Sequence, residues 1–287
     1  MTQIETRHGS LCDSLYTEFG SAAQMLIWRI NGLWKMVCSN PDSYRLPSEV
    51  AVIGSAALSL YVNIHNIPWL DKELPSDFDC LMGRIAAPFE NVKNYIDYIY
   101  FALGGNRREF DGVEEITTSI GLKTWVVKQN RLKTSVSYCN QNPLLDGVCD
   151  WLAQSPASFI PVLVMDGAGM RFIFAEDGQK DLESGFGRIH DPLRYFNETL
   201  TDQQKIARAL ISVKYFSFLP DPNNVDIFSK AIIDFIFKQT LANPENAEYF
   251  DKYIQKIASG LNENTKAKFY FLLINHMPTH ANSMTTV

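Results

Sequence analysis

The run Val50-Ala51-Val52-Ile53 ends in Gly54-Ser55, and Asp77-Phe78-Asp79 begins 22 residues after Ser55. No other feature constrains the fold as tightly. A short apolar run closed by Gly-Ser predicts a buried strand, a tight turn and then a helix. Asp-x-Asp inside the next apolar run, 77–82, puts both carboxylates on one face of a second strand, because strand side chains alternate. Two carboxylates that close repel unless a cation lies between them. Mg²⁺ suits the pair, since it takes oxygen ligands and shares its shell with substrate phosphates. A small Gly-Ser turn beside it lets backbone N–H groups approach a triphosphate. Taken singly, each half is ordinary: Asp-x-Asp is often a solvated strand end, and Gly-Ser a helix cap.

The rest of the chain sets a mixed region before a helical one. Leu11, Leu15, Phe19, then Met25, Leu26, Ile30, Leu33, Trp34 and Val37 recur at helical spacing, predicting one or two amphipathic helices over 10–38. Asn40-Pro41-Asp42-Ser43 breaks them. Strands are expected at 49–54 and 77–82, and a helix at 88–103 ending at Gly104-Gly105. Lys123 to Lys128 and Arg131 to Tyr138 are rich in β-formers around a Gln129-Asn130 turn. Another strand pair, 160–165 and 170–174, flanks Asp166-Gly167-Ala168-Gly169. From Thr201, a candidate cap, helices fit 202–216, 224–241, 244–258 and 263–276, with a polar tail from Pro278.

Composition excludes several classes. The chain has 287 residues, and its net charge of −6 argues against a general nucleic-acid coat protein. The longest acid-free stretch, 116–145, carries Lys123, Lys128, Arg131 and Lys133, which suit either a local RNA-binding face or a solvated strand edge. Cys12, Cys38, Cys80, Cys139 and Cys149 are scattered and odd in number, so neither a zinc site nor a disulfide framework is indicated. His8, His65, His190, His276 and His280 lack metal spacing. No secretory signal and no apolar run of membrane-spanning length is visible, so a cytoplasmic protein without a membrane partner is expected.

Gly54-Ser55 followed by Asp77-Phe78-Asp79 resembles the nucleotidyltransferase superfamily, which includes DNA polymerase beta and the poly(A) polymerases. A second stretch sharpens the resemblance. Gly178-x-x-Asp181-Leu182, Gly185, Arg188-Ile189, Asp191-Pro192 and Phe196 precede Asp202-x-x-Lys205-x-x-Arg208-Ala209. This is similar to the head–neck junction of the tRNA CCA-adding enzymes and bacterial poly(A) polymerases, with Lys205 in place of an Arg. The implied fold class is α+β: a nucleotidyltransferase-like mixed sheet with helices as head, then an all-helical neck and C-terminal region. The implied division is 1–45, an N-terminal helical segment; 46–195, the head; and 196–287, the neck and C-terminal domain. The resemblance makes Asp77 and Asp79 catalytic ligands of Mg²⁺ or Mn²⁺. It makes Gly54, Ser55, Asp202, Lys205 and Arg208 nucleotide-binding residues. The two cations suit triphosphate oxygens and the carboxylate a ribose hydroxyl. Without the resemblance, Asp202, Lys205 and Arg208 are an exposed polar helix face.

Three departures stand against it. The family carries a third carboxylate on a strand beside the Asp-x-Asp strand. Aligned on the family pattern, that strand falls at 132–137, where Lys133, Thr134 and Ser135 stand. An Arg-Arg-Asp nucleotide motif is replaced by Ser155-Pro156-Ala157. The first turn is Gly-Ser rather than Gly-Gly and no Arg-Asp pair follows it. Asp111, Asp146, Asp150 or Asp166 are the candidates to replace the missing acid, which serves as metal ligand or general base. The expected function is template-independent transfer of NMP from an NTP to an RNA 3′ end, of a tRNA or poly(A)-type acceptor. The alternatives are a degenerate relative that binds a protein or RNA partner with reduced or no activity, and a toxin-type nucleotidyltransferase.

Overall fold

The computed structural model describes residues 1–38, 49–75, 77–82, 113–117, 123–127, 133–138 and 144–276. The break at 40–43, the helix expected at 88–103, the Gln129-Asn130 turn and the tail from Pro278 lie outside the described residues. The chain forms two compact units, one of Met1–Leu152 with Ile160–Ala175, the other of Ala153–Phe159 with Glu176–Val287.

The first unit is built on an eight-stranded sheet in the order β1-β8-β7-β2-β3-β6-β5-β4. The strands are β1 Thr2–Thr6, β2 Glu49–Ile53, β3 Asp77–Met82, β4 Val113–Thr117, β5 Lys123–Val127, β6 Lys133–Tyr138, β7 Val162–Asp166 and β8 Gly169–Phe174. Neighbours run antiparallel except β3 and β6, which are parallel. The helices are α1 His8–Phe19, α2 Gln24–Cys38, α3 Gly54–His65 and α4 Leu144–Ala153.

Strand alternation sorts the side chains onto two covered faces. Ala51, Ile53, Leu81, Val162, Val164 and Ile173 pack with Val148 and Leu152 of α4. Val50, Val52, Phe78, Cys80, Leu163, Met165, Phe172 and Phe174 are buried on the other face. There Tyr61 of α3 meets Phe172 and Phe174 edge-on, with centroids 5.1 and 5.0 Å apart. Burial on both faces is why β2 reads as a continuous apolar run rather than an alternating one.

The N-terminal stretch is not a separate helical segment. β1 is an edge strand of the sheet, pairing Thr2 with Phe174 and Thr6 with Met170. Ser14 of α1 donates its hydroxyl to the Asn63 carbonyl of α3 at 3.0 Å. Thr-Gln-Ile-Glu-Thr is too short and polar to announce a strand, because an edge strand needs little apolar surface. The β7–β8 hairpin is as expected. Asp166 accepts from the amides of Ala168 and Gly169, at 2.8 and 3.1 Å, and from Arg171 at 2.5 Å.

The second unit holds α5 Gly178–Ser184, α6 Pro192–Tyr195, α7 Asp202–Phe216, α8 Ile227–Thr240, α9 Pro244–Ala258 and α10 Glu263–His276. Thr201 caps α7 as its sequence predicts, and the structure adds a full capping box with Gln204. The boundary falls after Ala175 rather than at 195. Asp181 is the reason. It is 4% exposed and accepts from Ser158 Oγ at 2.5 Å and from Arg188 Nε and Nη2 at 2.8 Å each. That clasp ties 158 and 178–188 into the helical unit. Gly187 then donates to the Asn224 carbonyl at 3.0 Å and accepts from the Asp226 amide at 2.8 Å. Extended pairing at Val225 moves the start of α8 from 224 to Ile227. Among the described residues, no helix is long and apolar enough to cross a membrane.

Candidate active site

The site grows from the centre of the sheet. β2 hands the chain to Gly54, whose φ of +66° is the left-handed conformation that only glycine adopts without strain. α3 starts at once, so its N-terminal amides and positive dipole end stand at the end of β2. β2 and β3 pair antiparallel, with Ile53 opposite Asp79. Carried past that last pair, the register sets Ser55 opposite Asp77. The Ser55 hydroxyl donates to Asp77 Oδ1 at 2.7 Å. A Cβ on Gly54 would stand 3.8 Å from Asp79 Oδ2. The structure therefore gathers Gly54, Ser55, Asp77 and Asp79 into one half-buried cluster.

The cluster rests on a dry floor. Phe78 and Cys80 alternate with the two acids and are fully buried on the opposite face. Burial first, and Asp79 second, push the Cys80 thiol far up, so it stays protonated and adds no charge beneath the carboxylates. The pair offers hard oxygen donors, which fits Mg²⁺ or Mn²⁺.

The strand expected beside Asp-x-Asp is there. β6 runs parallel to β3, with Lys133 at the register position of Asp77 and Ser135 at that of Asp79. β6 contains no acid. Asp166 does not replace it. That residue pairs with Glu49 at the far end of β2, about 13 Å along the strand from Ile53. Desolvation raises its pKa, but the bonds from Arg171 and the two turn amides outweigh that and hold the carboxyl below its ordinary value. Asp146 is exposed on α4 and Asp111 lies outside the described residues. Among the described residues, no three His, Cys, Asp or Glu side chains gather into a metal-holding group.

The motif replaced by Ser155-Pro156-Ala157 has become local structure. Ser155 is buried and donates to the Ala157 carbonyl at 3.0 Å.

Asp202, Lys205 and Arg208 lie in α7 of the second unit and have separate fates. Asp202 is exposed and accepts from Asn246 Nδ2 at 3.2 Å. Lys205 is half-exposed. Arg208, expected to meet triphosphate oxygens, is 4% exposed and donates from Nη1 to the Tyr195 carbonyl. Its guanidinium sits 5.2 Å from the Tyr195 ring centroid, and the Tyr195 hydroxyl returns a bond to the Arg208 carbonyl at 2.8 Å. Burial pulls the guanidinium pKa down. The reason is angular. Each i+3 step falls 60° short of a full turn, so Arg208 lies about a third of a turn from Asp202. That brings it onto the face of Ala209 and the core. Sequence pattern marked neither Asn246 nor Tyr195, because a side-chain bond between helices leaves no periodic trace.

No protein-family model matches the chain, and no curated protein matches it. Solved structures do. A CCA-adding enzyme in complex with ATP matches with a TM-score of 0.58 at 12% identity, covering 96% of this chain and 55% of that one. The Thermotoga maritima CCA-adding enzyme complexed with tRNA gives 0.56 at 11%, covering 96% and 56%. A tRNA-processing enzyme in an apo form gives 0.52 at 13%, covering 79% and 55%. At such identities the likeness is one of fold. The chain has a fold resembling that of the CCA-adding enzymes, and it spans about half the length of the structures it matches.

Proposed function

We propose that this chain is a template-independent nucleotidyltransferase that moves a nucleoside monophosphate from an NTP onto a hydroxyl, with an RNA 3′ end as acceptor. One observation carries the proposal: a left-handed Gly-Ser turn at a helix start converges on paired carboxylates, with Ser55 and Asp77 2.7 Å apart. Solved relatives of the fold include complexes with ATP, CTP and tRNA, which supports NTP and RNA as partners.

Each residue has a role in that chemistry. The Gly54 turn and the first amides of α3 cradle the triphosphate. Asp77 and Asp79 would hold Mg²⁺, or Mn²⁺, which neutralises charge on the attacking and leaving oxygens. In the second unit, the family resemblance carries nucleotide binding over to Lys205 and to Asp202, whose carboxylate accepts from Asn246 at 3.2 Å. Arg208 acts indirectly, by locking α7 to Tyr195.

Ser135 at the register position of Asp79 favours a second reading: a nucleotide-binding subunit with reduced or no transfer activity and a protein or RNA partner. One experiment separates the two. The protein is incubated with each labelled NTP, Mg²⁺ or Mn²⁺, and bulk tRNA. Label transfer that is lost in Asp77→Ala and Asp79→Ala supports the enzyme. Metal-dependent NTP binding without transfer to any acceptor supports the binding subunit.

A further inference from the structure

The Ser55 hydroxyl has one proton to donate, and it donates to Asp77 Oδ1 at 2.7 Å. We propose that this bond couples nucleotide to metal: Ser55 occupies Asp77 until a triphosphate oxygen takes the hydroxyl's hydrogen bond. The proposal rests on the nucleotidyltransferase reading of the site.

The geometry gives the hydroxyl two competing acceptors. Ser55 follows the left-handed Gly54 in the first turn of α3, where helix amides attract anions. A triphosphate drawn there presents oxygens to the same donor. While the proton points at Asp77, it repels a cation approaching Oδ1 and uses electron density the cation needs. When it turns to phosphate, Asp77 regains that density. A cation on Asp77 in turn drives the proton toward phosphate. The two effects are one coupling free energy, so each ligand tightens the other by the same factor. A donor that merely orients a metal-binding carboxylate does the reverse: deleting it weakens the metal.

The test reads binding rather than turnover. Free Mn²⁺ is titrated into the full chain by electron paramagnetic resonance without nucleotide. Ser55→Ala and Ser55→Gly bind it about threefold or more tighter than the parent, a modest share of a charge-assisted hydrogen bond at a half-buried site; Ser55→Thr behaves as the parent. A fluorescent ATP analogue is then titrated with and without saturating Mn²⁺. The factor by which Mn²⁺ tightens the analogue falls at least about threefold in Ser55→Ala. Circular dichroism confirms that the variants are folded, and the Gly variant repeats the measurement independently. Unchanged or weaker Mn²⁺ binding in both deletions overturns the coupling and leaves the nucleotidyltransferase reading standing. A parent protein that binds neither Mn²⁺ nor the analogue overturns both.

Discussion

Asp77 and Asp181 are the same side chain put to opposite uses. Asp181 is buried, and three donors from Ser158 and Arg188 use its oxygens. Asp77 is half-buried and accepts from Ser55 alone among the described residues. The buried carboxylate commits three of its roughly four acceptor positions to its own unit and serves the fold. The under-saturated one, beside a second acid and a helix N-terminus, keeps lone pairs for a cation. Arg208 and Lys205 repeat the contrast in α7: the buried cation is spent on Tyr195, whereas the half-exposed one keeps its charge toward solvent.

That contrast breaks first at the acids. Asp77→Ala is expected to cut label transfer about a thousandfold or more while leaving the urea midpoint nearly unchanged. Asp181→Ala should do the opposite. Stranding Arg188 and Ser158 costs about 3 kcal/mol of stability, softened because Arg188 is a third exposed, with Mn²⁺ binding by the first unit intact. Equal stability losses in the two variants would show that the distinction is false.

Two glycines sharpen it further. A Cβ on Gly187 would meet Phe216 Cδ1 at 2.8 Å and Leu219 Cδ1 at 2.9 Å, so Gly187→Ala overpacks the second unit by about 1–3 kcal/mol in denaturant unfolding. Gly54→Ala meets no clash but takes a left-handed φ, costing about 1 kcal/mol; its larger effect is weaker binding of the fluorescent ATP analogue.

The smallest effect is in pH. Asp166 has a lowered folded pKa, so its contribution is full above the ordinary carboxyl range near pH 4 and fades as pH falls through the depressed value. Asp166→Asn is expected to lose under about 1 kcal/mol at neutral pH and to remove that part of the acid-side slope in thermal unfolding.

Much of this was legible beforehand, and the misses have a common cause. The α1–α2 stretch, the 160–174 hairpin, the Thr201 cap and the last helices carried periodicity or capping chemistry written in adjacent residues. β1 escaped because an edge strand buries little. The 178–188 stretch escaped as part of the helical unit because its hold on Ser158 spans 23 residues. Arg208 was assigned to phosphate by the family resemblance, whereas its partner came from packing.

Chain order alone therefore determined which residues sit together on a strand or helix: Asp77 with Asp79, Gly54 before α3, Thr201 with Gln204. Those relations depend on backbone geometry within a few residues. Tertiary structure decided which groups meet across elements: Ser55 with Asp77, Ser158 with Asp181, and Tyr195 rather than phosphate for Arg208. The physical reason is that strand register and helix packing are set by burying apolar faces, and the polar side chains take the partners that burial leaves within reach.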